Sequence, residues 1–488
     1  MAQMIVRLTP ELVLMITAFV VIGVDLYARR RTARWVLPGL SITGLVLSAA
    51  AAISQWAVRE PVAGTLAADA FAFYFKVVAA GVVIVVILAG MAYMRERTRF
   101  LGEFYALLLA ATLAVYVAVS ANDLITLYLA LETLSILSYV LTGFLRGDRR
   151  SNEAAVKYFL YGAAASAVML YGFSLLYGLT GTTYLPEIAQ RLMAGQVLEG
   201  LTWLAWPVVV LSLVGLGFKA SLVPFHQWAP DAYEGAPTPV TMFLSTVSKA
   251  TGFAVLARLL VSALPALSQY WLALLYALSV LTMTLANIIA LRQNDVKRML
   301  AYSSVAHAGF ILLGLVAVTA PGRGQPFSGL DGVLMYVLGY AITNAGAFAV
   351  VAAVEDARGA ATLDDFAGLI HHSPFLAATM LIFLLSLAGI PPLAGFVAKL
   401  FVFAPVIRSQ YYALAVIALI NAVIAAGYYL RVVKQMFFVE SHTTAPWRLA
   451  RGMEVALWVC LIGVFAVGIF MNGFTTWTVE AANAMLGL

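Results

Sequence analysis

GLGFKASLVPFHQWAPDAYEGAPTPVTMFLSTVSK, residues 215–249, is too apolar for an ordinary soluble segment and too charged for an inert membrane one. Lys219 and Lys249 sit in flanks that otherwise read as lipid-buried, and Pro224 follows the first lysine by less than two turns. A lysine at the centre of a membrane helix costs roughly 2.5–3.5 kcal/mol, so such residues face a bundle interior or a wet path. Two of them around an interrupted helix point to ion movement.

The rest of the chain supplies the setting. Of its 488 residues 63% are hydrophobic and only 11% charged, a balance that would leave a soluble domain with more apolar surface than water tolerates. Apolar runs of about 20 residues recur throughout, the length that crosses a bilayer as a helix. The expected fold is therefore an all-α polytopic membrane protein. The first run is long for a signal-peptide core and has no small-residue cleavage site, so it reads as a retained helix. One cysteine, Cys460, leaves no intrachain disulfide and no cysteine-built cluster or zinc site. The net charge of +6 resides in loops; it sets membrane orientation rather than marking a nucleic-acid partner.

Fourteen spans are expected, near 11–27, 35–57, 70–94, 101–119, 122–144, 153–180, 203–230, 237–264, 271–292, 295–318, 331–357, 374–408, 411–438 and 450–475. The seventh and twelfth are long and broken, the latter at Pro391-Pro392. A proline inside a span frees backbone carbonyls, which only protein or water can then satisfy. Basic residues cluster in alternate loops: Arg29, Arg30, Arg31 and Arg34; Arg95, Arg97 and Arg99; Arg146, Arg149, Arg150 and Lys157; Arg292, Lys297 and Arg298; Arg431, Lys434, Arg448 and Arg451. The other loops hold Arg59, Arg191, Arg323 and Arg408 singly. The positive-inside rule then makes the basic loops cytoplasmic and puts both termini outside.

A faint repeat runs through the sequence. Leu211–Gly215 (LSLVG) recurs as Leu385–Gly389 (LSLAG), and Asn122-Asp123-Leu124 as Asn294-Asp295-Val296, at offsets of 174 and 172. The interval carries an odd number of spans, so the copies would be inverted, as in many ion-coupled transporters. The expected divisions are a three-helix segment 1–100, a first repeat 101–264 (spans four to eight), a second repeat 271–438 (spans nine to thirteen) and a C-terminal helix 450–488.

Inside the spans the charges are few. Glu132 lies mid-span with Tyr128, Ser135 and Tyr139 on its helical face. Lys219 is at comparable depth, flanked by Ser212 and His226, so the two can pair. Either the pair is static, or its opening and closing moves a proton. Lys249 has Ser245, Thr246 and Gly252 on its face, which leaves room for water. His307, one turn after Ser303 and Ser304, fits a proton relay and a hydrogen-bonded core histidine about equally. Lys399 lies past the Pro391-Pro392 break. Arg258 and Lys76 are nearer span ends and read as interface anchors. There is no Walker loop, no dinucleotide fingerprint and no paired histidine spacing for haem. The longest segment outside the spans, 181–202, has room for a surface loop or a lateral helix.

The run Pro224-Phe225-His226-Gln227-Trp228, with Tyr233-Glu234-Gly235-Ala236-Pro237-Thr238-Pro239, resembles the antiporter-like membrane subunits of respiratory complex I. Lys157-Tyr158-Phe159 with Tyr171-Gly172, and Gly389-Ile390-Pro391-Pro392 with Gly395-Phe396 and Lys399, extend the likeness over nearly the whole chain. The resemblance implies a proton path along Glu132, Lys219, Lys249, His307 and Lys399, driven by quinone reduction elsewhere. It also implies no cofactor in this chain, with FMN, iron–sulfur clusters and quinone held by partner subunits. The partners would be other membrane-arm subunits, the bilayer, and indirectly the peripheral arm, in a bacterial cell membrane. Lysine at 399 favours one branch of the family over another that carries glutamate there. The rival reading is a subunit of a multi-subunit Na⁺/H⁺ antiporter, which shares fold and charges but transfers no electrons.

Overall fold

The computed structural model describes the chain except residues 1, 28–29, 59, 63, 196–201, 319–324, 441–446 and 488, and except the side chains of 2–4, 30–34 and 60–61. Arg29, Arg59 and Arg323, and the side chains of Arg30, Arg31 and Arg34, lie outside the described residues.

The expected all-helical, polytopic architecture is what the chain adopts. Among the described residues, 13 helices are long and apolar enough to cross a membrane. The fourteenth crossing, the twelfth in order, is made of two shorter helices, Pro374–Ala388 and Ala394–Arg408. The seventh is Ala205–Ala220, followed by an irregular turn and the short helix Trp228–Gly235. Both breaks fall where the prolines put them. Among the described residues the one strand pair is a small hairpin between spans two and three, Glu60–Val62 against Leu66–Ala68.

Local chemistry sets the helix ends. Asp69, Asp123, Asp148 and Asp295 cap spans three, five, six and ten by accepting hydrogen bonds from first-turn amides. Their negative charge also suits the positive end of the helix dipole. Left-handed glycines close the C-terminal ends of some spans, Gly181 that of span six and Gly359 that of span eleven. The last span differs from expectation. It ends at Ile469, and a second helix, Met471–Leu486, folds back so that Trp477 meets Trp56 and Tyr74 at 5.6 and 4.6 Å.

Spans eight (Thr238–Ala263), ten (Val296–Val316) and eleven (Leu330–Arg358) form the centre and have almost no exposed residue. Spans one (Thr9–Tyr27), thirteen (Tyr412–Phe438) and fourteen (Arg451–Ile469) turn broad apolar faces outward, with Phe19, Val423 and Ile462 each more than 60% exposed. Such faces are stable in lipid, where apolar exposure carries no penalty. In the 181–202 segment, Leu185–Met193 forms a short lateral helix that buries Leu185, Ile188 and Leu192.

Two local structures occur twice. At one clasp Leu124 N–H donates to Thr183 O (2.9 Å) and Leu185 N–H to Asn122 O (3.0 Å). At the other, Val296 N–H donates to Ala361 O and Leu363 N–H to Asn294 O, both 2.8 Å. The helix ends at the two breaks also match. Ser221 N–H reaches Phe218 O and Leu222 N–H reaches Gly217 O, as Gly389 N–H reaches Ser386 O and Ile390 N–H reaches Leu385 O. The LSLVG and LSLAG match does not survive: Gly215 is interior to its helix, whereas Gly389 is a left-handed cap at φ +91°.

Candidate proton-path site

Glu132 sits midway along span five (Leu124–Thr142), where Ser166 of span six (Arg149–Thr180) donates to its carboxylate at 2.6 Å. The same serine lies 3.3 Å from the Tyr128 hydroxyl, so part of the anticipated polar stripe is used. Lys219 is in the last turn of the first half of span seven and is 2% exposed. Its ammonium donates to Ser135 of span five at 3.2 Å. Among the described residues no ion pair joins Glu132 to Lys219. Glu132 and Ser135, the lysine's partner, lie three residues apart on one face of span five. Ser212 and His226 make no hydrogen bond to the lysine; the Ser212 hydroxyl and His226 Nδ1 are buried without partners.

Span eight positions Lys249 in an unusual way. Leu244–Ser248 is a π-turn, and Lys249 is the first residue after it. Such turns insert an extra residue and re-aim the side chains that follow. Lys249 is 1% exposed and donates to the carbonyl of Ser304 at 2.6 Å and to its hydroxyl. Tyr340 of span eleven donates to that hydroxyl at 2.8 Å. The space expected beside Gly252 is taken by protein. A Cβ there would stand 3.0 Å from the Lys219 carbonyl carbon and the Ala220 nitrogen. Glycine therefore lets span eight lie directly on the end of the broken helix.

His307 continues the line. Its Nδ1 lies 2.8 Å from the Tyr336 hydroxyl and its Nε2 3.1 Å from that of Tyr429. Tyr429 also meets Ser303 at 2.5 Å, and the His307 and Tyr340 rings are 5.0 Å apart. Both ring nitrogens thus have hydroxyl partners, the arrangement a relay needs and a satisfied core histidine also shows. Phe310, one turn on, separates this group from Lys399, whose ammonium stands 5.2 Å from the ring centre. Lys399 donates to Leu387 O at 3.1 Å and Ala388 O at 2.6 Å, carbonyls left open by the break in span twelve. Its cation lies at the negative end of that half-helix.

The interface reading of Lys76 and Arg258 is overturned. Lys76 is 2% exposed and pairs with Glu11 at 2.6 Å; Arg258 is 3% exposed and grips Asp69 with two nitrogens at 2.9 and 3.0 Å. Their partners come from distant sequence, so distance from a span end was a poor guide. These cations are locked by carboxylates, whereas among the described residues Lys219, Lys249 and Lys399 donate hydrogen bonds only to neutral oxygens. Reading the sequence also missed Ser166, Tyr336, Tyr340 and Tyr429. A signal existed for two of them, since Tyr336 and Tyr340 are spaced to share one helix face.

At the basic-loop ends of the spans, charges brace the helix that follows the break. Asp231 accepts from Arg298 at 2.7 Å and pairs with Lys157 at 3.1 Å; Glu234 takes Arg298 at 2.7 Å. Burial opposes ionisation of Asp231, but Arg298 and Lys157 outweigh it and hold the carboxyl below its ordinary range. Among the described residues no group of three or more His, Cys, Asp or Glu side chains gathers as a metal site would require.

Residues 121–425 match the family model described as NADH:quinone oxidoreductase/Mrp antiporter, transmembrane. The chain is 42% identical to NADH-quinone oxidoreductase subunit N 2 of Symbiobacterium thermophilum, over 98% of this chain and 96% of that one. It is 40% identical to NAD(P)H-quinone oxidoreductase subunit 2 of Synechocystis, over 95% and 90%. Among solved structures, a chain of respiratory complex I from Thermus thermophilus with bound aureothin superposes with a TM-score of 0.78 at 30% identity, covering 96% of this chain and 98% of that chain. A chain of the Mrp complex from Dietzia superposes at 0.83 with 22% identity, covering 100% and 98%, a likeness of fold alone.

Proposed function

The chain belongs to the NADH:quinone oxidoreductase/Mrp antiporter transmembrane family, and from that premise we propose that Glu132, Lys219, Lys249, His307 and Lys399 carry protons through it. It is a multi-pass membrane-arm subunit of a complex I-type NADH:quinone oxidoreductase, of the subunit N kind, and works within a hetero-oligomer of membrane subunits. The observation that carries the proton path is the contrast among buried cations. Lys76 and Arg258 are held by carboxylates, but Lys219, Lys249 and Lys399 rest on hydroxyls and carbonyls. A buried lysine that no carboxylate holds by direct contact gains or loses a proton in response to a nearby charge far more readily than a paired one.

In this reading Glu132 receives the electrostatic signal and Lys219 answers it. Lys249 then exchanges with the Ser304, Tyr340 and His307 group, and Lys399 delivers onward. FMN, iron–sulfur clusters and quinone belong to partner subunits, where the redox chemistry that drives the signal takes place. The experiment is proton pumping and coupled quinone reduction by assembled complex carrying Glu132→Ala or Lys219→Ala. Both should fall steeply; wild-type pumping in both variants would remove the assignment. Flavin and iron–sulfur absorbance in the purified assembly separates this reading from a Na⁺/H⁺ antiporter without electron transfer.

The recurrence of clasp and helix cap supports reading spans four to eight and nine to thirteen as inverted copies, and the alternation of basic loops supports both termini on the outer side of a bacterial cell membrane. A C-terminal topology reporter should therefore register the outside, and a cytoplasmic signal would defeat that orientation.

A further inference from the structure

Two openings that the proton path does not use adjoin each other. One is a groove of about 560 Å³ between spans one, four (Leu101–Ser120) and five, walled by Met15, Phe19, Leu107, Ala110 and Leu113. The other, of about 620 Å³, is rimmed by Arg97, Arg99, Arg146 and Arg149. Phe100, Phe144 and Arg146 line both, so a basic mouth opens into an apolar slot. From Phe100 to Leu113 the slot follows span four for about 20 Å at 1.5 Å per residue. That exceeds one leaflet, about half of a hydrocarbon core of ~30 Å.

The charges of the mouth are not balanced from within. Arg97 is occupied by Asp356 and the Tyr93 carbonyl. Arg99 and Arg146 have no ion-pair partner among the described residues, although both guanidinium groups stand by the Phe100 ring, 4.9 and 5.7 Å from its centre. Arg149 is exposed at the start of span six. Two carboxylates line the openings. Asp148 is engaged as the cap of span six, accepting from Arg150 N–H at 2.9 Å, and Glu103 stands on the groove wall with no ion pair among the described residues. Asp25 packs behind the wall against Gly102.

We propose that this groove binds an anionic phospholipid from the leaflet on the basic-loop side, one acyl chain in the slot and the phosphate between Arg99 and Arg146. Guanidinium groups suit phosphate because they present paired donors to it. Basic pockets between membrane helices take anionic head groups for this reason. A free phosphate would need only the mouth; the apolar slot commits the occupant to a lipid.

The test is lipid retention by the purified, detergent-washed complex, with phospholipids extracted and quantified by mass spectrometry. Complexes are made with the wild-type chain, Arg99→Gln/Arg146→Gln, Arg99→Lys/Arg146→Lys, and Ala110→Trp, which fills the slot and keeps both arginines. The wild type and the lysine variant should retain an anionic lipid that the glutamine variant and Ala110→Trp lose. Adding phosphatidylglycerol vesicles should restore it to wild type, and phosphatidylcholine vesicles should not. Equal retention in wild type and Ala110→Trp would overturn the proposal. So would displacement of the lipid by inorganic phosphate alone, or a cross-link from a cysteine at Ala110 to a neighbouring subunit.

Discussion

The two broken spans look alike at their breaks and differ in what fills them. Each first half-helix ends in the same pair of backward hydrogen bonds, with Ser221 or Gly389 in the left-handed conformation and a proline three residues on. In span seven the Phe218 carbonyl, which also accepts the Ser221 N–H, takes the indole N–H of Trp228 at 3.0 Å, a neutral donor stacked on Tyr158 at 4.1 Å. In span twelve the freed carbonyls of Leu387 and Ala388 take the Lys399 ammonium. One break is therefore sealed by a fixed aromatic, and its lysine, Lys219, turns away toward Ser135. The other is sealed by the titratable group itself. The difference separates a lysine that can change state without touching the fold from one that cannot.

The sharpest way to break this comparison is to remove each lysine. Lys219→Leu should abolish coupled proton pumping while the thermal melt of the detergent-solubilised complex stays close to wild type. Lys399→Leu should lose pumping and also destabilise by about 1–3 kcal/mol, since two buried carbonyls lose their donor. Equal melts for the two variants would erase the distinction. Gly389→Ala sharpens it. The new methyl would stand 2.8 Å from Lys399 Cδ at a backbone φ of +91°, so pumping and stability should fall together. Ser221→Gly at the matching position relieves a left-handed serine and should stabilise by up to about 1 kcal/mol with pumping unchanged. Trp228→Phe keeps the stack but leaves Phe218 O without its indole donor, a loss of about 1 kcal/mol in the same melt.

The smallest effect concerns the brace beside the first break. Asp231 has its carboxyl held below the ordinary range, so its contribution is fully present above the unfolded value near 4 and fades as pH falls through the lower folded value. The melting difference between wild type and Asp231→Asn should therefore be flat from neutral pH down to about 5 and shrink below about 4. A difference that instead grew on acidification would contradict the assignment.

Spans and breaks were readable from sequence because a bilayer asks for apolar runs of one length and proline cannot continue a helix. The five residues proposed for the path stood out because ionisable groups in such runs are rare. Partnerships were not. Glu11 and Asp69 stand 65 and 189 residues from Lys76 and Arg258, and only the packed bundle brings them together. The tyrosines around His307 were overlooked for a related reason. A tyrosine inside a span counts as apolar until a hydroxyl is seen at hydrogen-bond distance. The short LSLVG match misled, because five residues do not fix a helical register, whereas the clasps opened by Asn122 and Asn294 have identical backbone pairing.

The burial of spans eight, ten and eleven has a further consequence. Lys249 and His307 are carried on helices that, among the described residues, are almost wholly buried, so the outer spans form a low-dielectric sheath around the proposed path. Inside the bundle, away from head groups and salt, the interaction between neighbouring buried charges is screened less than at the surface. The sheath itself can then be altered, at Val423 or Ile462 for example, to suit a thicker or thinner bilayer without disturbing the line it surrounds.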